Sequence, residues 1–421
     1  MKTTYLQLLA PDEIPSMRRE AVDEETLEQA GRIVEDVRDR GERAVYEHGV
    51  RLGDVQHGEP LVIEREQLER VLEDLPEDQR ALLERTAERI ERFARAQRDA
   101  IGDLDTAIAG GRAGHTVSPV ERAGCYAPGG RFPLPSSVLM TACTARVAGV
   151  ETIWVASPRP DSVTLAAAAV AGADAVLGVG GAQAIAAMAY GAGEIPACDV
   201  VVGPGNRWVT AAKKHISGRV RIDMLAGPSE LVVFADHSAD ATTVAADLLA
   251  QAEHDPDALP VLISLQKELV EEVDAELGRQ LGELPTRETA SAALENGFAV
   301  ICESVEEGID LCDRIAPEHL ELILEEADDV AERVSHYGGL FVGHQSAEVL
   351  GDYGAGPNHT LPTGGTARST GGLSVLTFLR VRTWMRIDDL EAAQELVEDS
   401  AELARLEGLE GHARSAEDRK R

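Results

Sequence analysis

The sequence predicts an α/β protein built from two doubly wound units, each around a parallel sheet. Its 421 residues correspond to two or three domains at a usual size of about 150 residues. Hydrophobic residues make up 44% of the chain, which is enough to bury sizeable cores. From about residue 124 onward, strand-like and helix-like runs alternate, as is typical of right-handed βαβ units.

The N-terminal quarter of the chain differs from the rest in its pattern of apolar and charged residues. Residues 1–20 have no periodic pattern and predict an irregular arm. From about Asp23 to Arg98, apolar residues recur at three- and four-residue steps among many charges. This spacing indicates amphipathic helices.

The first α/β unit contains four predicted strands and four predicted helices. The strands are expected at residues 152–156, 175–179, 200–202 and 220–224, and the helices at 136–147, 163–171, 182–190 and 207–215. The apolar strands are short and uninterrupted, which favours a parallel sheet covered on both faces.

A second α/β unit follows the first. Its strands are expected at residues 231–235, 261–265, 299–302, 320–324 and 340–342, and its helices at 241–254 and 267–284. Residues 351–372 are too rich in Gly, Pro and Thr for regular structure, and long irregular loops in compact domains are usually functional. A last helix is expected at 390–407.

Acidic residues dominate the charge of the chain. There are 74 Asp and Glu against 40 Lys and Arg, a net charge of -34. This excess argues against nucleic acid or an anionic membrane as the main partner. It is spread along the chain, and only five basic residues are lysines, which favours a halophilic protein over an ordinary acidic enzyme.

Cysteine usage and the N-terminus predict a cytoplasmic protein. The five cysteines are odd in number and form no CxxC pair, so a reduced compartment is expected. The first 15 residues lack the apolar core of a signal peptide. The longest weakly charged stretch, 165–193, is broken by Asp174 and several glycines, so no membrane span is expected.

Three glycine-rich turns lie beside strands or helices of the first unit. Gly178, Gly180 and Gly181 stand between a predicted strand and a predicted helix, where backbone N–H groups can meet a phosphate. Gln183 replaces the third glycine of a GxGxxG motif, so a purely structural turn is an equal alternative. Similar turns at 127–130 and 203–206 favour a cofactor crevice.

Two further patterns carry side chains suited to chemistry. Gln251 and His254 share one face of a predicted helix and could hold a metal, although an ordinary surface histidine is the simpler interpretation. Asp352, His359 and His412 are possible completing ligands. In a separate motif, Glu318 and His319 are adjacent and of the residue types most used for acid–base catalysis; the acidic first turn of a helix is the alternative.

Several long motifs resemble one enzyme family. The segment IDMLAGPSELVVFADHSADATTVAADLLAQAEH, residues 222–254, resembles the signature of histidinol dehydrogenases. The resemblance extends in order to YAPGGR, PSSVLM, GGAQAIAA, GPGN, APEHL, GDYGAGPNHTLPTGGTAR and GLSV, and to the tail around Glu407 and His412. It implies a homodimer that oxidises L-histidinol to L-histidine in two steps. Each subunit is expected to hold one Zn²⁺ and to reduce two NAD⁺.

The family resemblance also implies a domain organisation. Two incomplete Rossmann-like domains are expected, the second inserted in the first, with small terminal segments. The implied boundaries are an arm at 1–22, a first domain at 23–124 and 230–373, a second domain at 125–229, and a C-terminal segment at 374–421 that contributes to the partner's site.

The matched motifs also imply roles for individual residues of this chain. The resemblance implies that Glu318 and His319 are catalytic, with His319 as base for the hydroxyl and Glu318 activating water. The implied zinc ligands are Gln251, His254, Asp352 and, from the partner subunit, His412. The implied NAD contacts are Tyr126, Gln183 and Asn206. Substrate contacts are implied for Ser229, Gln251, His254, His319, Asp352, His359, Glu407 and His412.

Three alternatives remain open from sequence. A related zinc- and NAD-dependent dehydrogenase could act on a different amino or sulfonated alcohol. A zinc hydrolase or a non-catalytic metal-binding protein could use the same scaffold with merely structural glycine turns. The joint presence of Glu318, His319, Glu407 and His412 disfavours the last two.

Overall fold

The structure, a computed structural model, describes residues 4–14, 20–129 and 133–420. Its strands form three sheets, which we name sheet A, sheet B and sheet C. The strands are β1 (Gln7–Leu9), β2 (Val62–Glu64), β3 (Leu104–Ile108), β4 (Gly111–Pro119), β5 (Arg122–Tyr126), β6 (Thr152–Ala156), β7 (Ala175–Leu177), β8 (Val200–Val202), β9 (Arg221–Ile222), β10 (Glu230–Ala235), β11 (Leu259–Ser264), β12 (Phe298–Ile301), β13 (His319–Ile323), β14 (Gly339–Val342) and β15 (Leu379–Ile387).

Helices surround sheets A and B and form the C-terminal tail. They are α1 (Glu24–Arg40), α2 (Glu42–Leu52), α3 (Arg65–Asp74), α4 (Glu77–Asp99), α5 (Pro135–Ala148), α6 (Ser162–Ala171), α7 (Gly181–Tyr190), α8 (Arg207–Ile216), α9 (Ala241–Ala252), α10 (Lys267–Leu281), α11 (Arg287–Ala293), α12 (Val305–Ile315), α13 (Ala327–Ala331), α14 (Glu348–Tyr353), α15 (Gln394–Leu406) and α16 (Glu410–Glu417). None of the helices in the described ranges is both long and apolar enough to cross a membrane.

Sheet A has the strand order β1-β12-β11-β10-β13-β14, and all of its strand pairs are parallel. Every residue of β10, β11 and β13 is buried, as expected for a parallel sheet with both faces covered. Helices α9 and α10 pack against each other and against this sheet. The predicted second α/β unit is therefore confirmed.

Sheet B has the order β2-β7-β6-β5-β8-β9, and only the edge strand β2 runs antiparallel. Its central strand β5 was not among the predicted strands. Since the chain enters sheet A with β1, builds sheet B, and returns to sheet A with β10, the unit around sheet B is inserted into the unit around sheet A.

Sheet C is a small antiparallel sheet of order β15-β4-β3. It was not predicted, and it ties the segment after residue 378 to the segment before β5. Beyond it, α15 and α16 pack mainly on each other around Ala401, Ala404 and Ala413.

The predicted grouping of residues 23–124 with 230–373 is wrong for the N-terminal helices. Strand β2 pairs with β7 of sheet B, α1 packs on α7 and α8, and α3 packs on α6. The arm predicted at 1–22 is also partly regular, because β1 pairs with β12 of sheet A. Helical periodicity shows that one face is buried but not which sheet covers it.

Most predicted elements of the two units are found, with shifted ends. Strand β9 is limited to two residues where five were expected. Helix α14 begins before the glycine-rich segment and extends into it to Tyr353, and the remainder of 351–372 is irregular apart from one short turn. All five cysteines are buried and free, as expected for a reduced compartment.

Candidate active site

The adjacent acid–base pair lies at the amino edge of sheet A. Glu318 immediately precedes β13 and His319 is its first residue, so the alternative of a helix N-terminus is wrong. Both side chains are buried, with 7% and 2% exposure. They lie beside Glu230, the first residue of the neighbouring strand β10.

His319 is held as a neutral imidazole with one free nitrogen. Its Nδ1 lies 3.1 Å from the backbone carbonyl oxygen of Glu230, which can only accept, so Nδ1 carries the proton. Burial lowers the pKa of His319 to about 4, so the ring is neutral at physiological pH. Its Nε2 therefore has a lone pair, and this buried atom has no hydrogen-bond partner among the described residues.

The Glu318 carboxyl is fixed by two donors. Its Oε2 accepts hydrogen bonds from the Ser229 hydroxyl at 2.5 Å and from the Glu230 N–H at 3.0 Å. Both bonds lower its pKa, but burial outweighs them and raises the pKa of Glu318 well above its usual value. A carboxylate with a raised pKa is a stronger base, which suits removal of a proton from water.

Three of the expected metal ligands lie beside this pair: Gln251 on α9, His254 in the turn that follows α9, and Asp352 on α14. The Nδ1 of His254 lies 3.0 Å from the Ala250 carbonyl oxygen, which leaves Nε2 as the free acceptor. That Nε2 is 3.7 Å from Oδ2 of Asp352, on α14. Gln251, at the end of α9, is completely buried, and neither atom of its amide group has a hydrogen-bond partner within the described ranges.

His359 also faces Asp352. Its Nδ1 lies 3.2 Å from the Asp352 carbonyl oxygen, and its buried Nε2 has no partner in the part of the chain that the structure describes. Burial lowers the pKa of His359, so it is a neutral polar group available to a ligand. His359 lies in the irregular segment that the sequence predicts to be functional.

Further buried carboxyls, which sequence reasoning missed, lie behind His319. Glu348 Oε1 is 3.5 Å from His319 Nδ1, and the Glu348 N–H donates to Glu321 Oε1 at 2.6 Å. Burial raises the pKa of Glu321 to about 8 and of Asp247 to about 6, and that of Glu348 well above its usual value. The available signal was a charged residue inside a continuous apolar strand, since Glu321 stands at the centre of HLELI.

The donors of this cluster fit a divalent metal ion such as zinc. Ligand atoms of His319, Glu348 and Asp352 all lie within 4.8 Å of one another. Imidazole nitrogens and carboxylate oxygens are zinc ligands, and the unpartnered amide of Gln251 adds a buried oxygen donor. Buried polar atoms without partners are costly unless a ligand satisfies them, which supports a ligand at this place.

A separate cleft lies at the carboxyl edge of sheet B, where open α/β sheets bind their ligands. It is a cavity of about 830 Å³, and all three expected NAD contacts, Tyr126, Gln183 and Asn206, line it. All three glycine turns contribute to the lining of this cleft, two of them through Gly129, Gly180 and Gly181 and the third through Asn206.

The glycine turn before α7 already has internal hydrogen-bond acceptors. The Gly180 N–H donates to Asp54 Oδ2 at 3.0 Å, and the Gly181 N–H donates to the Tyr126 hydroxyl at 3.1 Å. Burial raises the pKa of Tyr126 to about 12, so its hydroxyl stays protonated. Asn206, which also lines the cleft, caps α8 by accepting from the Trp208 and Val209 N–H groups.

The structure does not bring Glu407 and His412 to the cluster within one subunit. Glu407 follows α15 and His412 lies on α16, and both are exposed. The main contacts of these two helices are with each other. These residues are thus free to reach a neighbouring molecule.

The fold and the paired sites define an α/β oxidoreductase. A family model described as histidinol dehydrogenase matches residues 16–420. The histidinol dehydrogenase of Thermus thermophilus is 52% identical over 344 residues, which are 82% of this chain and 83% of that protein. The one from Natronomonas pharaonis is 43% identical over 406 residues, 95% of each chain.

A solved structure gives the same result. The crystal structure of histidinol dehydrogenase from Elizabethkingia anophelis superposes with a TM-score of 0.92 at 28% identity, covering 99% of this chain and 98% of that one. The chain belongs to the histidinol dehydrogenase family. The expected family, enzyme class and α/β architecture are confirmed.

Proposed function

We propose that the cluster at Glu318 and His319 oxidises L-histidinol to L-histidine in two successive steps, each reducing one NAD⁺. The observation that carries this proposal is the buried neutral imidazole of His319 with its Nε2 free beside a carboxyl of raised pKa. Two bases in distinct environments suit two proton removals, one from the hydroxyl group of the substrate and one from a water molecule.

In the first oxidation, His319 Nε2 takes the proton of the substrate hydroxyl group. Hydride leaves the carbon that bears this hydroxyl group, with NAD⁺ as its acceptor. The imidazolium formed is stabilised by the carboxylate of Asp352, whose Oδ1 is 3.8 Å from Nε2. The Nδ1–H bond to Glu230 keeps the ring from rotating during the transfer.

In the second oxidation, the aldehyde must be hydrated before hydride can leave. Glu318 takes the proton from the added water, and the Ser229 hydroxyl and Glu230 N–H hold its carboxylate in place. Because the pair is almost fully buried, an aldehyde formed there is shielded from bulk water between the steps.

Gln251, His254 and Asp352 would hold zinc, with His412 of the partner subunit as the fourth ligand. A bound zinc ion would supply a Lewis acid that binds the imidazole and amine of the substrate. The free Nε2 of His254 next to Asp352 Oδ2 supports this assignment. NAD⁺ would lie in the sheet B cleft against Tyr126, Gln183 and Asn206.

The test is the yield of NADH for each L-histidinol consumed. We expect two NADH, no free aldehyde, and loss of turnover after a chelator removes the metal. A yield of one NADH, or no reaction with L-histidinol, would contradict the proposal and favour a dehydrogenase for another amino alcohol.

A matched pair of variants tests the metal ligands without relying on activity. Asp352→Asn should lower zinc affinity by about a hundredfold or more, because a charged oxygen ligand is lost. Asp236→Asn is the control, since Asp236, just after β10, is as buried as Asp352 but accepts the N–H groups of Ser238 and Glu325. Zinc content after dialysis against a chelator should fall only in Asp352→Asn; equal zinc content in both variants would remove Asp352 from the ligand set.

A further inference from the structure

The third glycine turn, residues 203–206, directly follows β8 and lies against the end of the neighbouring strand β5. Gly203 has φ +119°, a conformation that favours glycine. A Cβ at this position would lie 2.0 Å from the Tyr126 carbonyl oxygen. The turn therefore passes directly over the end of β5 and leads to Asn206, the cap of α8.

A buried ion pair holds both polar groups of Gly203. Lys213, on α8, forms an ion pair with Asp223, and their side chains are 2% and 0% exposed. The Lys213 ammonium donates to the Gly203 carbonyl oxygen at 3.0 Å. The Gly203 N–H in turn donates to Asp223 Oδ2 at 2.7 Å.

Such a pair is a poor device for stability alone. Removing two charges from water costs free energy that their attraction barely recovers, so buried pairs are often replaceable by apolar residues. Here the two charges instead bind the backbone N–H and the backbone carbonyl of one residue, Gly203. The pair fixes the turn relative to α8, from which Lys213 reaches back, and to the segment after β9, which carries Asp223.

We propose that Lys213 and Asp223 are positioning residues for dinucleotide binding: they fix the 203–206 turn so that Asn206, which lines the cleft, is in place before NAD arrives. This inference rests on the proposed NAD site at Asn206. A preorganised wall improves affinity because the ligand does not have to order it.

The test compares single and double variants to distinguish an effect on the stability of the fold from an effect on NADH binding in the cleft. Lys213→Met and Asp223→Leu each leave one buried charge without its partner and should lower the melting temperature strongly. The double variant leaves no unpaired charge and should melt above either single variant. It should still bind NADH about tenfold more weakly than the wild type, because Gly203 has lost both partners.

NADH binding is measured by its fluorescence, which requires no turnover. If the double variant binds NADH as tightly as the wild type, the ion pair is only structural and the proposal is overturned. Arg146→Met is the matched control, because it breaks an ion pair with Glu91 between α5 and α4 that touches no residue of the cleft. It should lower the melting temperature and leave NADH affinity unchanged.

Asn206→Ala distinguishes this inference from the proposed NAD site itself. If Asn206→Ala weakens NADH binding and the double variant does not, the proposed NAD site is supported and the positioning role of Lys213 and Asp223 is contradicted. If Asn206→Ala has no effect on NADH binding, the proposed NAD site at Asn206 is contradicted, and so is the positioning role of Lys213 and Asp223 that depends on it.

A measurement on the wild-type enzyme covers the case of a double variant that does not fold. Hydrogen exchange should show the Gly203 amide protected before NADH is added, because Asp223 already accepts its proton. If the turn becomes protected only when NADH binds, the dinucleotide and not the ion pair orders it, and the proposal is overturned.

Discussion

The carboxyl groups of Glu321 and Asp247 are neighbours in the folded protein, and Asp247 adds to the raised pKa of Glu321. Glu321 also accepts the Glu348 N–H at 2.6 Å, so one buried carboxyl joins β13, α9 and α14. These three elements carry His319, Gln251 and Asp352, respectively. The pair must hold a proton, because two adjacent buried carboxylates repel each other.

This shared proton predicts how stability depends on pH in the metal-depleted protein. Burial raises the pKa of Glu321 from 4.5 to about 8, so the folded state keeps a proton that the unfolded chain releases. The contribution of Glu321 to the free energy of unfolding should therefore fall as pH rises from about 4.5 to about 8, by at most about 1.4 kcal/mol per pH unit.

Glu321→Gln should flatten this dependence, because its amide can donate to Asp247 and accept from Glu348 at any pH. Thermal melts at pH 5, 6.5 and 8 measure the effect. Glu332→Gln, an exposed position, should follow the wild-type curve. Parallel curves for wild type and Glu321→Gln would show that the pair holds no proton.

The same cluster shows what sequence could and could not predict. The motifs identified Glu318, His319 and Asp352, but spacing along the chain did not reveal that Glu348 lies 3.5 Å from His319, since a loop and two elements separate them. Glu321 could have been noticed as a lone carboxyl in an apolar strand, but the sequence contains no sign that Asp247 is its partner.

The fold was predictable where local pattern and burial agree. The apolar strands of sheet A were identified, whereas β5, with the sequence RAGCY, has few β-branched or large apolar residues although it is central. Sheet C was missed because its pairing joins β4 to β15 across more than 250 residues. Periodicity did not reveal that α1 and α3 belong to sheet B, because that depends on tertiary packing.

His319→Asn should distinguish the role of His319 as a base from its role as a hydrogen-bond donor to Glu230. The asparagine amide can replace Nδ1–H in donating to Glu230, but it cannot accept the substrate proton, so kcat should fall by about two to four powers of ten. The melting temperature and NADH affinity should change little. His336→Asn, outside the cluster, is the control and should keep its activity.

The pH profile of the wild type tests the same residue. Burial holds the pKa of His319 near 4, so its protonation should not reduce kcat/KM until the pH falls well below 6.5. An acid limb near 6.5 that disappears in a residual-activity profile of His319→Asn would contradict this assignment.

The acidic surface predicts dependence on salt. With a net charge of -34, carboxylate repulsion acts over roughly 30 Å at 0.01 M salt but only about 3 Å at 1 M. The melting temperature should therefore rise substantially between dilute buffer and molar KCl. Equal melting temperatures in the two conditions would contradict a halophilic protein.

The last prediction concerns His412, which is exposed on α16 and does not reach the Asp352 cluster of its own chain. If His412 of the partner subunit completes each metal site, dimerisation and metal binding are linked. His254→Ala and His412→Ala should each be inactive when pure. When they are unfolded and refolded together, a mixed dimer contains one site with both native histidines and one with neither.

With random pairing about half of the dimers are mixed, so about a quarter of the sites should recover activity. If His412 instead serves its own chain, every site lacks one ligand and mixing restores nothing. Mixed dimers are verified by placing different affinity tags on the two variants. Verified mixed dimers without recovered activity would show that the site is not shared, and the exposed tail would then need another explanation for its order.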